Sequence, residues 1–334
     1  MRPVIGLDVG GANTKAAVVY GETRVRMVSE PFEVWREPDA LPGAIADVVE
    51  RLELGAAPVA MTTTAEIADV FPSKREGVLF VLDAVRHALP AGRVRVLTTS
   101  GDLIDLGAAR AVPLMCAAAN WMATAMLVAR SLPDAILVDC GGTTTDVIPL
   151  LGGAVAARGR TDLERLLAGE LVYTGALRTN VAAVVSHVPI EGRPCPVSSE
   201  LFAIAADAHL LRGSLTPSQC TCTFPDHRGA SPGEVRTRLA RVVCADAEQL
   251  ADGDLEAIAA SVEKAQVGAI ATALERVAAR LPTGVPVVAV GVGAFLARAA
   301  AARCRLPVQE NAGPFAGRAG EVAAAVALSV LARE

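Results

Sequence analysis

The phrase LDVGGANTK at residues 7–15 returns as VDCGGTTTD at residues 138–146, a constant offset of 131 positions. Asp8 aligns with Asp139, Gly10 with Gly141, Gly11 with Gly142 and Thr14 with Thr145, while Lys15 in the first copy faces Asp146 in the second. Each copy has an apolar run (VIGLDV, AILVDC), a Gly-Gly turn with hydroxyl or amide side chains, and a second apolar run (AAVVY, VIPLL). That order predicts a strand, a tight turn and a returning strand. Paired glycines let backbone N–H groups converge on one concavity, which suits an anion such as phosphate. Either copy alone reads equally well as an ordinary hairpin in an alanine-rich chain. Two copies in matching register, ending in a lysine and an aspartate, predict a clamp on one phosphate-bearing ligand.

A chain of 334 residues is long enough for two cores. Its net charge of −5, with both signs intermixed and no basic tract, argues against nucleic acid as a partner. Lysine occurs only at 15, 74 and 264, so a lysine inside a glycine turn stands out. The seven cysteines are scattered, and the N-terminus meets a strand with no leader pattern, so the protein is expected to be cytoplasmic with reduced thiols. Cys220 and Cys222, with Cys195, Cys244, His209 and His227 in reach, lack a standard zinc spacing and read as unligated. The uncharged stretch 111–129 contains Pro113, Asn120 and many alanines, and reads as a buried helix rather than a membrane span. The expected partners are small-molecule substrates, with neither nucleic acid nor membrane; oligomeric state is not legible.

Strand and helix signals alternate along the chain, predicting an α/β class with a core of largely parallel strands plus antiparallel hairpins. Helices are expected at 41–54, 74–89, 114–130 and, capped by Thr161 or Asp162, at 163–169. Further helices are expected over SSELFAIAADAHLLRG, PGEVRTRLARVVCADAEQL and LEAIAASVEKAQVGAIATALERVAARL. The Ser-, Thr-, Pro- and Gly-rich stretch 213–233 is expected to be a mobile lid or irregular insertion. VPVVAVGVGAFLARAAAARC predicts a buried strand, a G-x-G turn at Gly291 and Gly293, and a helix. It lacks the third glycine of the dinucleotide fingerprint, and no segment fits the usual P-loop. The expected domains are 1–133, 134–310 and a C-terminal segment 311–334 that packs back on the first.

Two such hairpins, one per half, followed by a late G-x-G turn, resemble the order of elements in the actin, sugar kinase and heat-shock ATPase superfamily. The resemblance implies a two-domain actin-like (ribonuclease H-like) ATPase fold with a phosphate-binding hairpin in each domain. It also makes Gly291 and Gly293 candidate nucleotide contacts. The blocks MTTTAEIADVFPSKREGV, AAANWMATA, ILVDCGGTTTD, GRTDLERLLAGELVYTGALRTNV, ELFAIAADAHLLRG and RLARVVCAD are similar to a narrower group. They resemble hydantoinase/oxoprolinase-like proteins of tetrahydromethanopterin-linked one-carbon metabolism, which include a methanofuran-biosynthesis enzyme. What this implies is a transferase that condenses 5-(aminomethyl)-3-furanmethanol diphosphate with a phenol, making an aryl-alkyl ether and releasing diphosphate. The implied phenol is γ-glutamyltyramine, or tyrosine or glutamyl-tyrosine in the methylofuran of bacteria.

Such a reaction needs stabilisation of the departing diphosphate, which Mg²⁺, a lysine and converging N–H groups supply. The expected diphosphate contacts are Gly10, Gly11, Asn13, Thr14 and Lys15 from the first turn, and Gly141, Gly142, Thr143, Thr144 and Thr145 from the second. Asp8 and Asp146 are the expected metal ligands, and Asp139 is either a third or a turn-former. Deprotonating a phenol with pKa near 10 needs a general base. Glu66 is the first choice and Asp8 the second, although Glu66 reads equally well as an exposed first-turn residue of a helix. Tyr173, Arg178 and Thr179 are candidate substrate contacts, with a plain salt bridge an equal reading for Arg178. Glu200 and Asp207, seven apart on one expected helix face, are candidates for attracting the aminomethyl cation, against a solvated face as the plainer reading. The alternative function is an ATP-dependent small-molecule kinase or amidohydrolase of the same superfamily, with ATP as cofactor only in that case. A nucleotide-switched binding module is disfavoured by the lack of an interaction tail.

Overall fold

The computed structural model describes residues 2–309, 313–315 and 317–333. The chain forms two compact units: residues 1–137, 148–170 and 309–334 make the first, and 138–147 with 171–308 the second.

The first unit opens with β1 (Ile5–Gly10), β2 (Asn13–Tyr20) and β3 (Arg24–Pro31), an antiparallel meander. Helix α1 (Leu41–Glu50) leads to β4 (Val59–Thr64), and α2 (Lys74–Ala88) leads to β5 (Val94–Leu97) and β6 (Leu103–Asp105). The sheet order is β3-β2-β1-β4-β5-β6. Among the named strands of this sheet, in the described residues, β1–β4 and β4–β5 pair in parallel and the other pairs are antiparallel, so the sheet is mixed rather than largely parallel. The reason lies in the connections: α1 and α2 are the two crossovers, and every other link is short enough only for an antiparallel turn.

Period-two alternation gives the two faces different tasks. Ile5, Leu7, Val9, Ala16, Val18, Val59 and Met61 share one apolar core with Ile45, Val48, Val78, Val81 and Val85 of α1 and α2. The opposite face carries Gly6, Ala17 and Ala60, whose small size lets a C-terminal helix approach closely. A Cβ on Gly6 would overlap the carbonyl of Ala325 in that helix. Its Ser329 hydroxyl accepts from Val19 N–H at 3.0 Å and donates to Val4 C=O at 2.7 Å, fastening it across the sheet.

After α3 (Leu106–Ala111), helix α4 is Asn120–Ser131, shorter than the expected 114–130 because Pro113 starts a 3₁₀ turn and Ala117 bridges to Thr63 in strand fashion. Strands β7 (Ala135–Cys140) and β8 (Thr145–Leu151) each have residues in both units. Next come β9 (Ala154–Val155) and α5 (Asp162–Ala168), which is capped by Thr161 through a reciprocal bond with Glu164. Residues 148–170, expected in the second domain, thus group with the first unit. Lys74 pairs with Asp162 at 2.8 Å, Arg160 donates to Thr99 C=O at 3.3 Å, and the Arg165 guanidinium lies 4.7 Å from the Trp121 ring centre.

The second unit contains β10 (Leu171–Val172), α6 (Val181–Val184), the hairpin β11 (His187–Ile190) and β12 (Arg193–Pro196), α7 (Ala205–Leu211), α8 (Pro232–Arg241), the 27-residue α9 (Asp252–Ala278), β13 (Val287–Val290) and α10 (Ala294–Arg303). Its sheet runs β10-β8-β7-β13, with β9 beside β8. The 213–233 stretch is irregular but anchored: Leu215 and Phe224 are buried, and Asp226 pairs with buried Arg238 at 3.0 Å. The final helix, α11, is Ala323–Leu331, packed on β1, β2 and β4; residues 311, 312, 316 and 334 of the 311–334 segment lie outside the described residues. Among the described residues no helix is long and apolar enough to cross a membrane.

Ser329→Ala leaves the Val19 N–H and Val4 C=O buried without their partner, and should destabilise the protein by about 1–3 kcal/mol. A urea midpoint that falls at unchanged m-value is the expected result.

Candidate active site

The first glycine turn is built by strand register. Asp8 on β1 pairs across the hairpin with Lys15 on β2 and, on its other side, with Thr62 on β4. Residues in one row point to one face, so the carboxylate, the ammonium and the hydroxyl stand together on the α11 side of the sheet. Gly10 is required because a Cβ would lie 2.8 Å from Asn13 C=O. Lys15 Nζ donates to Glu321 C=O at 3.2 Å, a neutral acceptor that leaves its charge uncompensated by that contact. Burial pushes the Asp8 carboxyl above its usual range, and Lys15 opposes the shift.

This end of the sheet holds several buried polar atoms with no hydrogen-bond partner among the described residues: Asp8 Oδ1, Asn13 Oδ1, Thr14 Oγ1, Thr62 Oγ1 and Glu66 Oε2. Each such group costs about 1–3 kcal/mol unless something outside the fold satisfies it, and a concentration of them is where a polar ligand or cation fits. A divalent cation suits Asp8 in particular, an acceptor-only oxygen in a dry setting. Among the described residues no three His, Cys, Asp or Glu side chains form a metal-binding group, so these residues offer no complete cage. Mg²⁺ does not need one, since it usually keeps water and takes phosphate oxygens beside one or two carboxylates.

Glu66 is not an exposed helix residue. It lies in a turn after β4, 2 % exposed, with the backbone of α2 pressed on it: a Cβ on Gly77 would come 2.6 Å from Glu66 C=O. Burial raises its pKa to about 7, with nearby Asp162 adding to the rise, while its own N–H, the Ala118 N–H and Lys74 oppose it. Ala118 holds a left-handed φ of 48° while supplying that N–H, an unfavourable conformation for a residue with a Cβ. Lys74 and Asp162, an ion pair beside Glu66, escaped the sequence reading; the scarcity of lysine was the available signal.

The second turn is built differently. Gly141 N–H donates to Thr144 C=O at 2.9 Å, closing the turn. Thr145 Oγ1 donates to Thr174 C=O at 2.7 Å, and Asp146, 5 % exposed, pairs in register with Leu171 of β10. Asp139 is half-buried. Gly291 and Gly293 belong to the same neighbourhood: a Cβ on either would overlap Cys140, and Gly293 N–H donates to Cys140 C=O at 2.8 Å.

The remaining candidates separate. Tyr173 is 60 % exposed and Arg178 is exposed, both on the loop after β10. Thr179 Oγ1 is engaged locally, accepting from Gly175 N–H at 2.9 Å and donating to Gly175 C=O at 3.1 Å. Glu200 and Asp207 do not share a helix face. Helix α7 starts only at Ala205 because the Asp207 carboxylate caps the Ile204 N–H at 3.1 Å, leaving Glu200 exposed in the preceding coil. Asp207 is fully buried and bound by Arg238 at 2.8 Å; burial lifts its pKa to about 6 against the pull of that guanidinium.

Glu66 generates a stability prediction. Its folded pKa, about 7, lies above the ordinary glutamate value of 4.5, so the native state holds the extra proton between the two. Stability falls as pH rises through that window, by something of the order of 3 kcal/mol in total. Glu66→Gln should therefore melt higher than wild type at pH 8 and lose most of that advantage at pH 4.5, measured by thermal unfolding across pH.

Comparison with known proteins agrees with this architecture. The hydantoinase/oxoprolinase family model matches residues 58–333. A protein of Methanocaldococcus jannaschii, named (4-{4-[2-(γ-L-glutamylamino)ethyl]phenoxymethyl}furan-2-yl)methanamine synthase, is 37% identical over 253 residues, 75% of this chain and 74% of that one. A protein of the same name from Methanococcus vannielii is 39% identical over 117 residues, 35% of this chain and 52% of its own length. Among solved structures, the PilM–PilN type IV pilus biogenesis complex aligns over 100% of both chains with a TM-score of 0.52 at 14% identity. The ethanolamine utilization protein EutJ from Carboxydothermus hydrogenoformans aligns over 98% of this chain and 88% of its own with a TM-score of 0.47 at 15% identity. The fold is the two-domain actin-like ATPase fold, and the chain belongs to the hydantoinase/oxoprolinase family.

Proposed function

We propose that this protein is a transferase that joins 5-(aminomethyl)-3-furanmethanol diphosphate to a phenol and releases diphosphate, forming the ether of the methanofuran or methylofuran core. The observation that carries the reading is the 37% identity over 75% of the chain to a synthase whose name describes that phenoxymethylfuran ether. The pairing of buried Asp8 with half-buried Lys15 at the first turn supports it, because the chemistry needs a place for a highly charged leaving group. The acceptor is γ-glutamyltyramine or, in bacteria, tyrosine or glutamyl-tyrosine.

In the reaction the bond between the furan methylene carbon and the diphosphate oxygen breaks, the phenol oxygen bonds to that carbon, and the phenolic proton passes to a base. Lys15 neutralises charge growing on the leaving oxygens, and the first turn around Gly10 and Gly11 lines their position; the second turn around Gly141 and Gly142 is a candidate anion contact of its own unit. Asn13, Thr14, Thr143, Thr144 and Thr145 complete the polar lining. Asp8 of the first unit and, separately, Asp146 and Asp139 of the second are the candidates to hold Mg²⁺, which would supply added charge neutralisation. Glu66, with a pKa of about 7, is substantially ionised at neutral pH and still basic enough to accept the proton. Tyr173, Arg178 and Thr179 are candidates for steering the acceptor, and Glu200 for the aminomethyl cation.

The test is incubation of the purified protein with Mg²⁺, the furan diphosphate and γ-glutamyltyramine or tyrosine, without ATP, followed by mass spectrometry for the ether. Lys15→Ala and Asp146→Ala should each lower turnover roughly 100- to 1000-fold while the circular dichroism spectrum is retained. Absence of ether with every phenol, together with ATP consumption in the presence of a candidate acceptor, would sink the reading in favour of a kinase or amidohydrolase. Glu66 adds a separate expectation: the rate rises with pH through about 7, and Glu66→Gln removes that acid limb along with most of the activity.

A further inference from the structure

Gln266 lies in the middle of α9 and is fully buried. Its amide nitrogen donates to Thr174 Oγ1 and to Gly175 C=O, both at 2.8 Å, and its Oε1 faces His209 Nε2 at 2.8 Å. A carbonyl can only accept, so the Gly175 bond fixes which end of the amide is nitrogen and makes Oε1 the acceptor of a proton on His209 Nε2. His209 is itself buried, stacked edge-on against Phe295 at 4.8 Å, and burial holds its pKa below the usual histidine value. The amide is thus locked at every polar atom.

The segment that Gln266 grips is the wall on which the second glycine turn is cast. Ala176 N–H donates to Gly141 C=O at 2.9 Å, and Leu177 and Arg178 N–H both donate to Gly142 C=O, at 3.0 and 2.8 Å. Thr145 Oγ1 reaches Thr174 C=O at 2.7 Å. Gly175 is pressed so closely on the turn that a Cβ there would stand 2.5 Å from Thr143 N. With both glycine carbonyls tied to the 176–178 backbone, a shift of residues 174 and 175 moves Gly141, Gly142 and Thr143 with it.

We infer that Gln266 is a positioning residue for this reaction: through Thr174 and Gly175 it sets the backbone of the second glycine turn in the shape that receives diphosphate. The inference rests on the diphosphate reading of the preceding subsection. It names a residue that touches no reacting atom, on an element far from the turn in sequence.

The experiment measures binding of inorganic diphosphate with Mg²⁺ by calorimetry, steady-state kinetics of ether formation, and melting temperature, on wild type, Gln266→Leu, Thr174→Val and Thr174→Ser. Losing an interaction of about 1.4 kcal/mol corresponds to a tenfold effect, so Gln266→Leu and Thr174→Val should each weaken diphosphate binding by about tenfold, with KM for the phenol unchanged. Thr174→Ser, which keeps the hydroxyl, should stay within about twofold of wild type. If Gln266→Leu does not fold, Thr174→Val decides. A folded Thr174→Val protein that melts lower yet binds diphosphate and turns over as wild type does would overturn the inference alone. Wild-type protein that binds no diphosphate overturns both this inference and the reading beneath it.

Discussion

The register that sets Lys15, Asp8 and Thr62 in one row across β2, β1 and β4 is the constraint on which the first unit's site depends. A slip by one residue would carry the carboxylate and the ammonium to the core face, among Leu7, Val9 and Met61, where neither could be accommodated. What forbids the slip is not the polar pair but the packing behind it. Ile5, Leu7 and Val9 must face α1 and α2, and Gly6 must face α11, whose Ala325 carbonyl occupies the space of a Cβ. The same alternation that hides the hydrophobic residues therefore delivers the charged ones to the opposite side. Fold and site are specified by one pattern.

Around Glu66 the structure works against local stability. A carboxyl group is buried under the Gly77 backbone, Ala118 is held at positive φ, and Oε2 has no partner among the described residues. Each of these costs free energy that a core of ordinary apolar side chains would not. Such costs persist where surrounding packing over-determines the conformation, and they collect at functional sites. The Lys74–Asp162 pair moderates the balance, since the two charges act on Glu66 in opposite directions. Glu66 is left basic without being held fully ionised.

Much of this was legible in the sequence, and the parts that were not share a physical cause. The two glycine turns, the helices at 41–50 and 74–88, and the Thr161 cap follow from local chemistry: turn glycines, apolar period and a Thr-x-x-Glu box. The short helix α7 was misjudged because its start depends on Asp207, whose side chain caps Ile204 and pairs with Arg238, 31 residues away. The grouping of residues 148–170 with the first unit is not legible locally because their anchors, Lys74, Thr99 and Trp121, lie far upstream. For Glu66 the sequence leaves a general base and an exposed helix start equally open for the same reason: its burial is imposed by Gly77 and Ala118, neither of which marks itself locally. Local rules foresee elements; they do not foresee which distant element will close over a side chain.

The late G-x-G turn shows how a motif can carry fold without carrying ligand. Gly291 and Gly293 are both explained by close approach, because the space of either Cβ is occupied by Cys140 at the end of β7, and Gly293 N–H is already bonded to the Cys140 carbonyl. Any chain that lays a strand-turn-helix against that strand end needs glycine at these positions, whatever it binds. The spacing thus belongs to the strand-turn-helix architecture and does not by itself call for a nucleotide. In the first turn the logic runs the other way. Gly10 is demanded by sterics, but a buried carboxylate opposite a lysine is demanded by nothing in the packing, and an apolar pair would sit there at lower cost. Residues that the fold does not need are the ones that the chemistry must explain.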